Sequence, residues 1–159
     1  MIFITLGSQK FQFNRLLKAV DDLVQRKIIK EDVFAQIGYS DYQPQNYSYK
    51  KFLDRDEFAR MEEKSEIVIT HGGTGAIIGA VKKDKKVIAV PRLAKFGEHV
   101  DDHQLQLLDE FEKMQIIVAC YDTDKLEDAY RLVQTKKLKK YKSNQKRIID
   151  SIEEFLTGI

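Results

Sequence analysis

Short apolar runs alternate with longer amphipathic stretches along this chain. Apolar or β-branched runs occupy residues 2–6, 33–37 (interrupted only by Gln36), 67–70, 87–90 and 116–119, and a further candidate strand occupies 49–53. Runs without polar alternation are typical of strands in a sheet that is covered on both faces. Apolar residues recur at helical spacing over about 14–26, 56–64, 76–81, 100–113 and 126–133. The alternation predicts an α/β fold with a doubly wound, mainly parallel, six-stranded Rossmann-like sheet.

Polar residues at the helix boundaries predict where some helices begin. Asn14 is placed to act as the N-cap of the first helix, and Asp101 or Asp102 as that of the helix over 100–113. A last amphipathic stretch predicts a C-terminal helix over about 140–157. With no internal repeat or low-complexity segment, residues 1–159 read as a single domain.

Composition narrows the class of protein. The chain is 43% hydrophobic and 33% charged, with a formal net charge of +2, which gives no general drive toward nucleic acid. Its single cysteine, Cys120, rules out an internal disulfide and fits a reducing compartment. No apolar run approaches a membrane span, and Met1 leads directly into an apolar strand without a basic leader. We therefore expect a cytoplasmic location.

A glycine-rich turn follows the strand over 67–70. It contains His71, Gly72, Gly73, Thr74 and Gly75, and an apolar helical segment comes next. A turn of this kind places free backbone N–H groups at a helix N-terminus, where the helix dipole favours an anion such as a phosphate. The alternative is that the glycines only form the turn and that His71 is a structural histidine.

The spacing of the glycines argues against two familiar nucleotide sites. Gly73, Gly75 and Gly79 do not form G-x-G-x-x-G, and Val90 and Pro91 stand where a ribose-binding acid would end the next strand. A P-loop is excluded because no Lys-Ser or Lys-Thr follows the glycines. A flavodoxin-like signalling domain fits the predicted sheet, but residues 7–10 lack the acidic cluster that receiver domains need.

The loop after the strand over 87–90 carries a second group of polar residues: Glu98, His99, Asp101, Asp102, His103 and Gln104. His99 and His103 are four residues apart, a spacing that can bind zinc on a helix. There is no H-E-x-x-H motif, and we expect no metal. In an open α/β sheet this loop and the glycine turn both lie beyond the carboxyl ends of strands, where ligands bind.

These residues resemble the C-terminal, donor-binding half of GT-B glycosyltransferases of the family 28 type. The resemblance joins residues 70–75, the Val90-Pro91 pair and residues 102–104, with His71 and Gln104 separated by 33 positions. Within that group the chain is most similar to the Alg13-like subunits and their bacterial relatives in capsule and exopolysaccharide synthesis. It resembles the bacterial branch in particular over residues 97–104. Those proteins are free-standing donor halves of about this length.

The resemblance implies a function and a set of roles. The chain would be the donor-binding subunit of a two-component inverting glycosyltransferase that moves a sugar, with galactose favoured, from a UDP-sugar to a lipid-linked acceptor. Glu98 and His99 are weaker candidates for proton transfer, since the main catalytic base is expected on the partner. The donor-binding residues would be Gly7, Ser8, His71, Gly72, Gly73, Thr74, Gly75, His103 and Gln104, with His71 and the turn on the diphosphate and His103 and Gln104 on the sugar.

The resemblance also implies a partner, because the acceptor half is missing. That partner would be a membrane-associated, Alg14-like subunit, which would hold this chain peripherally at the inner face of the membrane. One position departs from the pattern: many GT-B enzymes carry a ribose-binding Glu where this chain has Gly79. The departure motivates an alternative, a non-catalytic nucleotide-sugar-binding regulatory or scaffolding subunit. The resemblance implies no cofactor and no bound metal.

Overall fold

The computed structural model describes residues 1–141, 147, 150, 151 and 154 of the chain. Its strands are β1 (Ile2–Thr5), β2 (Val33–Gln36), β3 (Ser48–Lys50), β4 (Ile67–His71), β5 (Lys86–Val90) and β6 (Val118–Ala119). Its longer helices are α1 (Asn14–Gln25), α2 (Arg55–Lys64), α3 (Thr74–Lys82), α4 (His103–Lys113) and α5 (Leu126–Thr135), and short 3₁₀ turns occupy Ala94–Phe96 and Thr123–Lys125.

The six strands form one parallel sheet in the order β3-β2-β1-β4-β5-β6. The predicted doubly wound, Rossmann-like fold is therefore confirmed. The chain moves outward in one direction through β1, β2 and β3, then returns to the other side of β1 with β4. The order reverses between β1 and β4, and in open parallel sheets such a reversal leaves a crevice at the carboxyl ends of the two strands.

Helices cover both faces of the sheet, which explains why the strands are continuously apolar. Successive side chains of a strand point to opposite faces, so Ile67 and Ile69 pack with α1 and α5, whereas Val68 packs with α3 and α4. The same alternation holds in β5, where Ile88 joins the first cluster and Val87 the second. This core fixes the strands whose ends build the site.

Helix boundaries differ from the sequence prediction in two places. Asn14 is the first residue of α1 rather than its N-cap, and its side-chain oxygen accepts hydrogen bonds from the backbone N–H groups of Asp41 and Tyr42. Helix α4 begins at His103, three residues later than predicted. Asp102 is its N-cap residue, as one of the two predicted candidates, but its carboxylate accepts from the N–H of Ala94 at 2.9 Å and makes no hydrogen bond to the helix.

Much of the predicted C-terminal helix over 140–157 lies outside the described residues. Of the described positions within it, 147, 150, 151 and 154 are helical, whereas Lys140 and Tyr141 are not, so the predicted start at about 140 is too early. Over the described part of the chain, no helix combines the length and apolarity that crossing a membrane requires.

Candidate functional site

A cleft of about 490 Å³ lies at the carboxyl ends of β1 and β4, where the strand order reverses. All nine residues that the sequence analysis assigns to donor binding line it, and so does His99. Glu98 does not line it. The remaining lining residues are Gln9, Ala76, Asp101 and Leu107. The fold therefore brings the two polar segments, separated along the chain, to one crevice.

The N-terminus of α3 opens into this cleft. Gly73 is the N-cap residue and supplies no side-chain hydrogen bond, and no acidic residue lies in the first turn. Within the described chain, the N–H groups of Thr74, Gly75 and Ala76 have no acceptor outside the helix. The Thr74 hydroxyl is also buried without a partner among the described residues. Unpaired donors at the positive end of a helix dipole are the groups that favour an anion.

Two glycines are required by close approach to the imidazole of His71. A Cβ added to Gly73 would lie 2.1 Å from Cε1 of His71, and one added to Gly7 would lie 2.8 Å from Nε2. Gly7 also has a φ of +73°, which disfavours any other residue. By contrast, a Cβ at Gly75 or Gly79 would meet nothing within 4 Å. A Cβ at Gly72 would lie 2.7 Å from Leu108 and 2.8 Å from Gln104, so the positions that require glycine are Gly7, Gly72 and Gly73.

His71 ends β4 and is held by Gln104 from the first turn of α4. The Gln104 Nε2 lies 3.3 Å from the Nδ1 of His71. Its Oε1 accepts hydrogen bonds from the N–H groups of Gly72 at 3.1 Å and Arg92 at 3.0 Å. Gln104 thus ties the ends of β4 and β5 to α4 and keeps one amide N–H for other contacts. Its predicted contact with a sugar hydroxyl stays a prediction.

The environment of His71 keeps its imidazole neutral. Burial lowers the pKa of His71 from 6.5 to about 3, and the nearby positive charge of Arg92 acts in the same direction. At neutral pH, His71 is therefore an uncharged hydrogen-bonding group rather than a cation.

Glu98 does not have the exposure that a proton-transfer residue needs. It is fully buried, and its carboxylate makes a two-pronged ion pair with Arg15, at 2.9 Å to Nε and 3.0 Å to Nη2. The same carboxylate accepts the N–H of Leu93 at 3.0 Å. These contacts disfavour the predicted role of Glu98 in proton transfer, because the side chain points into the protein and braces the loop.

His99 and His103 both line the cleft, at its rim. His99 packs against the ring of Phe11, with the ring centroids 5.1 Å apart, and its Nδ1 lies 3.2 Å from an oxygen of Asp101. The half-exposed His103 places its Nδ1 3.4 Å from the other oxygen of Asp101. Hydrogen bonds, above all from the N–H of His103, lower the pKa of Asp101. Asp101 is thus an anion that orients both histidines.

Two arginines behind the cleft were not singled out by the sequence analysis. Arg92 is 1% exposed, and its Nη2 donates to the carbonyl of Leu6 at 2.7 Å, while Nε and Nη1 have no hydrogen-bond partner among the described residues. Burial lowers the pKa of Arg92 to about 10. Arg15 lies on α1 and supports the loop through Glu98. The only feature of the sequence that could have indicated Arg92 is its position after the carboxyl end of β5.

Among residues 1–141 and the four further described positions, no group of three or more His, Cys, Asp or Glu side chains is placed to hold a metal ion. Cys120 is buried, and burial raises the pKa of its thiol to about 11.

Comparison with known proteins identifies the family that the sequence matches. Residues 1–156 match the family described as glycosyltransferase family 28 C-terminal domain. The chain is 30% identical over 82 residues to the UDP-N-acetylglucosamine transferase subunit ALG13 of Saccharomyces cerevisiae. That match covers 51% of this chain and 39% of the yeast protein, so the chain spans well under two thirds of the curated relative.

Solved structures share the fold. An NMR structure of ALG13 superposes with a TM-score of 0.62 at 19% identity, covering 98% of this chain and 94% of that one. The glycosyltransferase of kitacinnamycin gives 0.60 at 14% identity, covering 99% of this chain and 39% of the other. SnogD from Streptomyces nogalater gives 0.59 at 13% identity, with coverage of 98% and 39%. At these identities the structural likeness extends to the fold alone.

Proposed function

This chain belongs to the glycosyltransferase family 28 C-terminal domain family, and we propose that it is the donor-binding subunit of a two-component, inverting glycosyltransferase. Its substrate would be a UDP-sugar, whose sugar is transferred to a lipid-linked acceptor in capsular or exopolysaccharide synthesis. The single observation that carries this proposal is the uncapped N-terminus of α3, which opens into the cleft beside His71. A diphosphate leaving group would accept hydrogen bonds from its free N–H groups and gain negative charge there during transfer.

The positions of the residues in the cleft support a role for each of them. The turn residues Gly72 to Gly75 and the Thr74 hydroxyl would hold the diphosphate, with Gly7 and Ser8 forming the opposite wall. His103 at the rim and the free N–H of Gln104 would meet the sugar. The main catalytic base would come from the partner, with His99, held by Asp101, as the candidate on this chain.

A partner subunit is supported by where the apolar surface lies. Among the described residues, six large hydrophobic side chains are exposed, and five of them lie in segments that follow the carboxyl ends of strands: Tyr39, Phe52, Phe96, Val100 and Leu105. Exposed apolar residues gathered on one face are typical of an interaction surface. We propose that a membrane-associated, Alg14-like subunit covers this face and completes the acceptor side of the cleft.

The site would act without a metal, because backbone N–H groups and a helix dipole supply the positive potential that a cation would otherwise provide.

The protein would be cytoplasmic and held at the inner face of the membrane through its partner. A groove of about 520 Å³ supports this location. Its lining includes Lys85, Lys86, Lys136, Lys137, Lys139 and Lys140, and basic clusters of this kind favour an anionic surface.

The identity of the sugar needs a direct experiment. Galactose is favoured by the resemblance of residues 97–104 to capsule-type subunits, whereas the yeast relative is named for UDP-N-acetylglucosamine. The test is transfer from a panel of radiolabelled UDP-sugars to membrane lipid, using the chain with a co-expressed Alg14-like subunit, with and without EDTA. We expect one donor to be used, equally well with EDTA, and activity to fall at least tenfold with His71→Ala. Equal activity of that variant would contradict a role of this chain's cleft in sugar transfer.

A non-catalytic nucleotide-sugar-binding subunit is the second candidate, motivated by Gly79. Nothing lies within 4 Å of a Cβ built there, so the space that a ribose-binding glutamate would occupy is open. This candidate predicts that UDP-sugar binds to the chain but that the reconstituted complex transfers sugar equally well with His71→Ala. The same transfer assay therefore separates the two functions.

A further inference from the structure

The side chain of Gln104 has an orientation that two backbone groups fix. Its Oε1 lies 3.1 Å from the nitrogen of Gly72 and 3.0 Å from that of Arg92. A backbone N–H only donates, so the atom between these two groups must be the oxygen of the amide. The assignment of oxygen and nitrogen in Gln104 therefore follows from the hydrogen bonds, independently of how an amide is usually drawn.

This orientation decides where the proton sits on His71. With Oε1 occupied, the Gln104 group that faces the Nδ1 of His71, at 3.3 Å, is the NH₂ group, which donates. Nδ1 must then accept, and a neutral imidazole whose Nδ1 accepts carries its proton on Nε2. Arg92 and burial both disfavour a second proton on the ring.

The protonated nitrogen lies at the edge of the ring that faces the cleft. Nε2 is the atom that a Cβ at Gly7 would meet, and the neighbouring Cε1 is the atom that a Cβ at Gly73 would meet. Both glycines line the cleft and place no side chain over this edge, and no described residue accepts a hydrogen bond from Nε2. His71 therefore offers one N–H donor toward the cleft.

We propose that Gln104 is a positioning residue, which holds His71 as the neutral Nε2-protonated tautomer so that Nε2–H donates to an anionic oxygen of the ligand. The identity of that ligand, a nucleoside diphosphate, rests on the proposed function. The tautomer and its control by Gln104 do not. Because the donor is neutral, His71 needs to take up no proton when the ligand binds.

Nitrogen NMR of the ¹⁵N-histidine-labelled chain tests the tautomer without any ligand. The chain has three histidines, and His71→Gln assigns the signals of His71. We expect a protonated Nε2 and an unprotonated Nδ1 from about pH 8 to about pH 5.5. A protonated Nδ1 on His71 in the parent chain would overturn the proposal, whether or not the chain binds UDP.

Gln104→Glu tests the control by Gln104. The carboxylate still accepts from Gly72 and Arg92 but has no N–H to offer, so Nδ1 of His71 should become protonated. Gln106→Glu makes the same chemical change on the exposed side of α4 and should leave the His71 signals unchanged. If Gln104→Glu does not fold, the shorter Gln104→Asn replaces it, and a mixture of tautomers is expected. An unchanged His71 in the folded Gln104 variant would overturn the role of Gln104.

Calorimetric titration with a UDP-sugar then separates this proposal from the proposed function. We expect Gln104→Glu to bind about tenfold more weakly than the parent, the size of effect of one hydrogen bond to a charged group. Binding by Gln104→Glu as tight as the parent's, with its tautomer changed, would overturn the donor role of Nε2. A folded parent with the expected tautomer that binds no UDP-sugar would contradict the proposed function instead.

Discussion

The turn after β4 and the loop after β5 leave neighbouring strands at the same edge of the sheet, but they use their hydrogen-bonding groups in opposite ways. In the turn, the N–H groups at the start of α3 and the Thr74 hydroxyl have no partner among the described residues. In the loop, Glu98 binds Arg15 and the N–H of Leu93, and Asp102 binds the N–H of Ala94. The donors of the turn are therefore free to bind a ligand, whereas the two carboxylates of the loop make hydrogen bonds that hold the loop in place.

This difference teaches that polar residues close in sequence need not act together. Glu98 and His99 are adjacent, yet the first is fully buried against α1 and the second faces the cleft. Gln104 also turns inward, where it braces the end of β4, while His103 stays at the rim. The loop is therefore a support for the turn with a few side chains on its outer surface.

The largest effect is expected at Glu98, and it tests whether this side chain supports the loop. Replacing it with Ala leaves the Arg15 guanidinium, which is largely buried, and the N–H of Leu93 without a partner. We expect the free energy of unfolding to fall by about 3 kcal/mol, measured by urea denaturation. Glu98→Gln keeps an acceptor for Leu93 and should lose less. A Glu98→Ala variant with parental stability and lost sugar transfer would restore a catalytic role.

The next effect tests the buried, neutral state of His71. Its pKa in the folded chain is about 3, below the 6.5 of an unfolded chain, so the unfolded state binds a proton first as pH falls. Stability should therefore be full above about pH 7 and be lost toward lower pH, with about 2 kcal/mol lost between about pH 7 and about pH 5 on this account. Urea midpoints of the parent and of His71→Gln measure it. Identical pH slopes for the two proteins would contradict it.

The smallest effect sharpens the comparison within the turn and its helix. Gly79 lies in α3, and a Cβ added there would meet nothing within 4 Å. Gly79→Ala should therefore stabilise the protein by about 1 kcal/mol through helix propensity. Thermal unfolding measures the gain. A loss of stability would mean that the space around Gly79 is needed by the fold itself.

The fold was predictable because its signals are local and repeated. Continuous apolar runs such as 67–70 and helical spacing in α1 follow from burial on both faces of a parallel sheet. The turn was also predictable, since closely spaced glycines indicate that the backbone passes close to other groups. The inward orientation of the Glu98 side chain could not be predicted, because its partner Arg15 lies 83 residues away along the chain. The inward orientation of the Gln104 amide could not be predicted either, because its partners lie 12 and 32 residues away. Such contacts exist only once the sheet has assembled.

The central claim is that the turn around His71 binds the diphosphate of a nucleotide sugar. Calorimetric titration of UDP into the parent, Gly73→Ala and Gly79→Ala, each with and without EDTA, tests it most directly. A methyl group at Gly73 would lie 2.1 Å from the imidazole of His71, whereas one at Gly79 would touch nothing. The account predicts binding by the parent that EDTA does not change, at least tenfold weaker binding by Gly73→Ala, and parental affinity for Gly79→Ala. Equal affinities in all three proteins, or no binding by the folded parent, would contradict it.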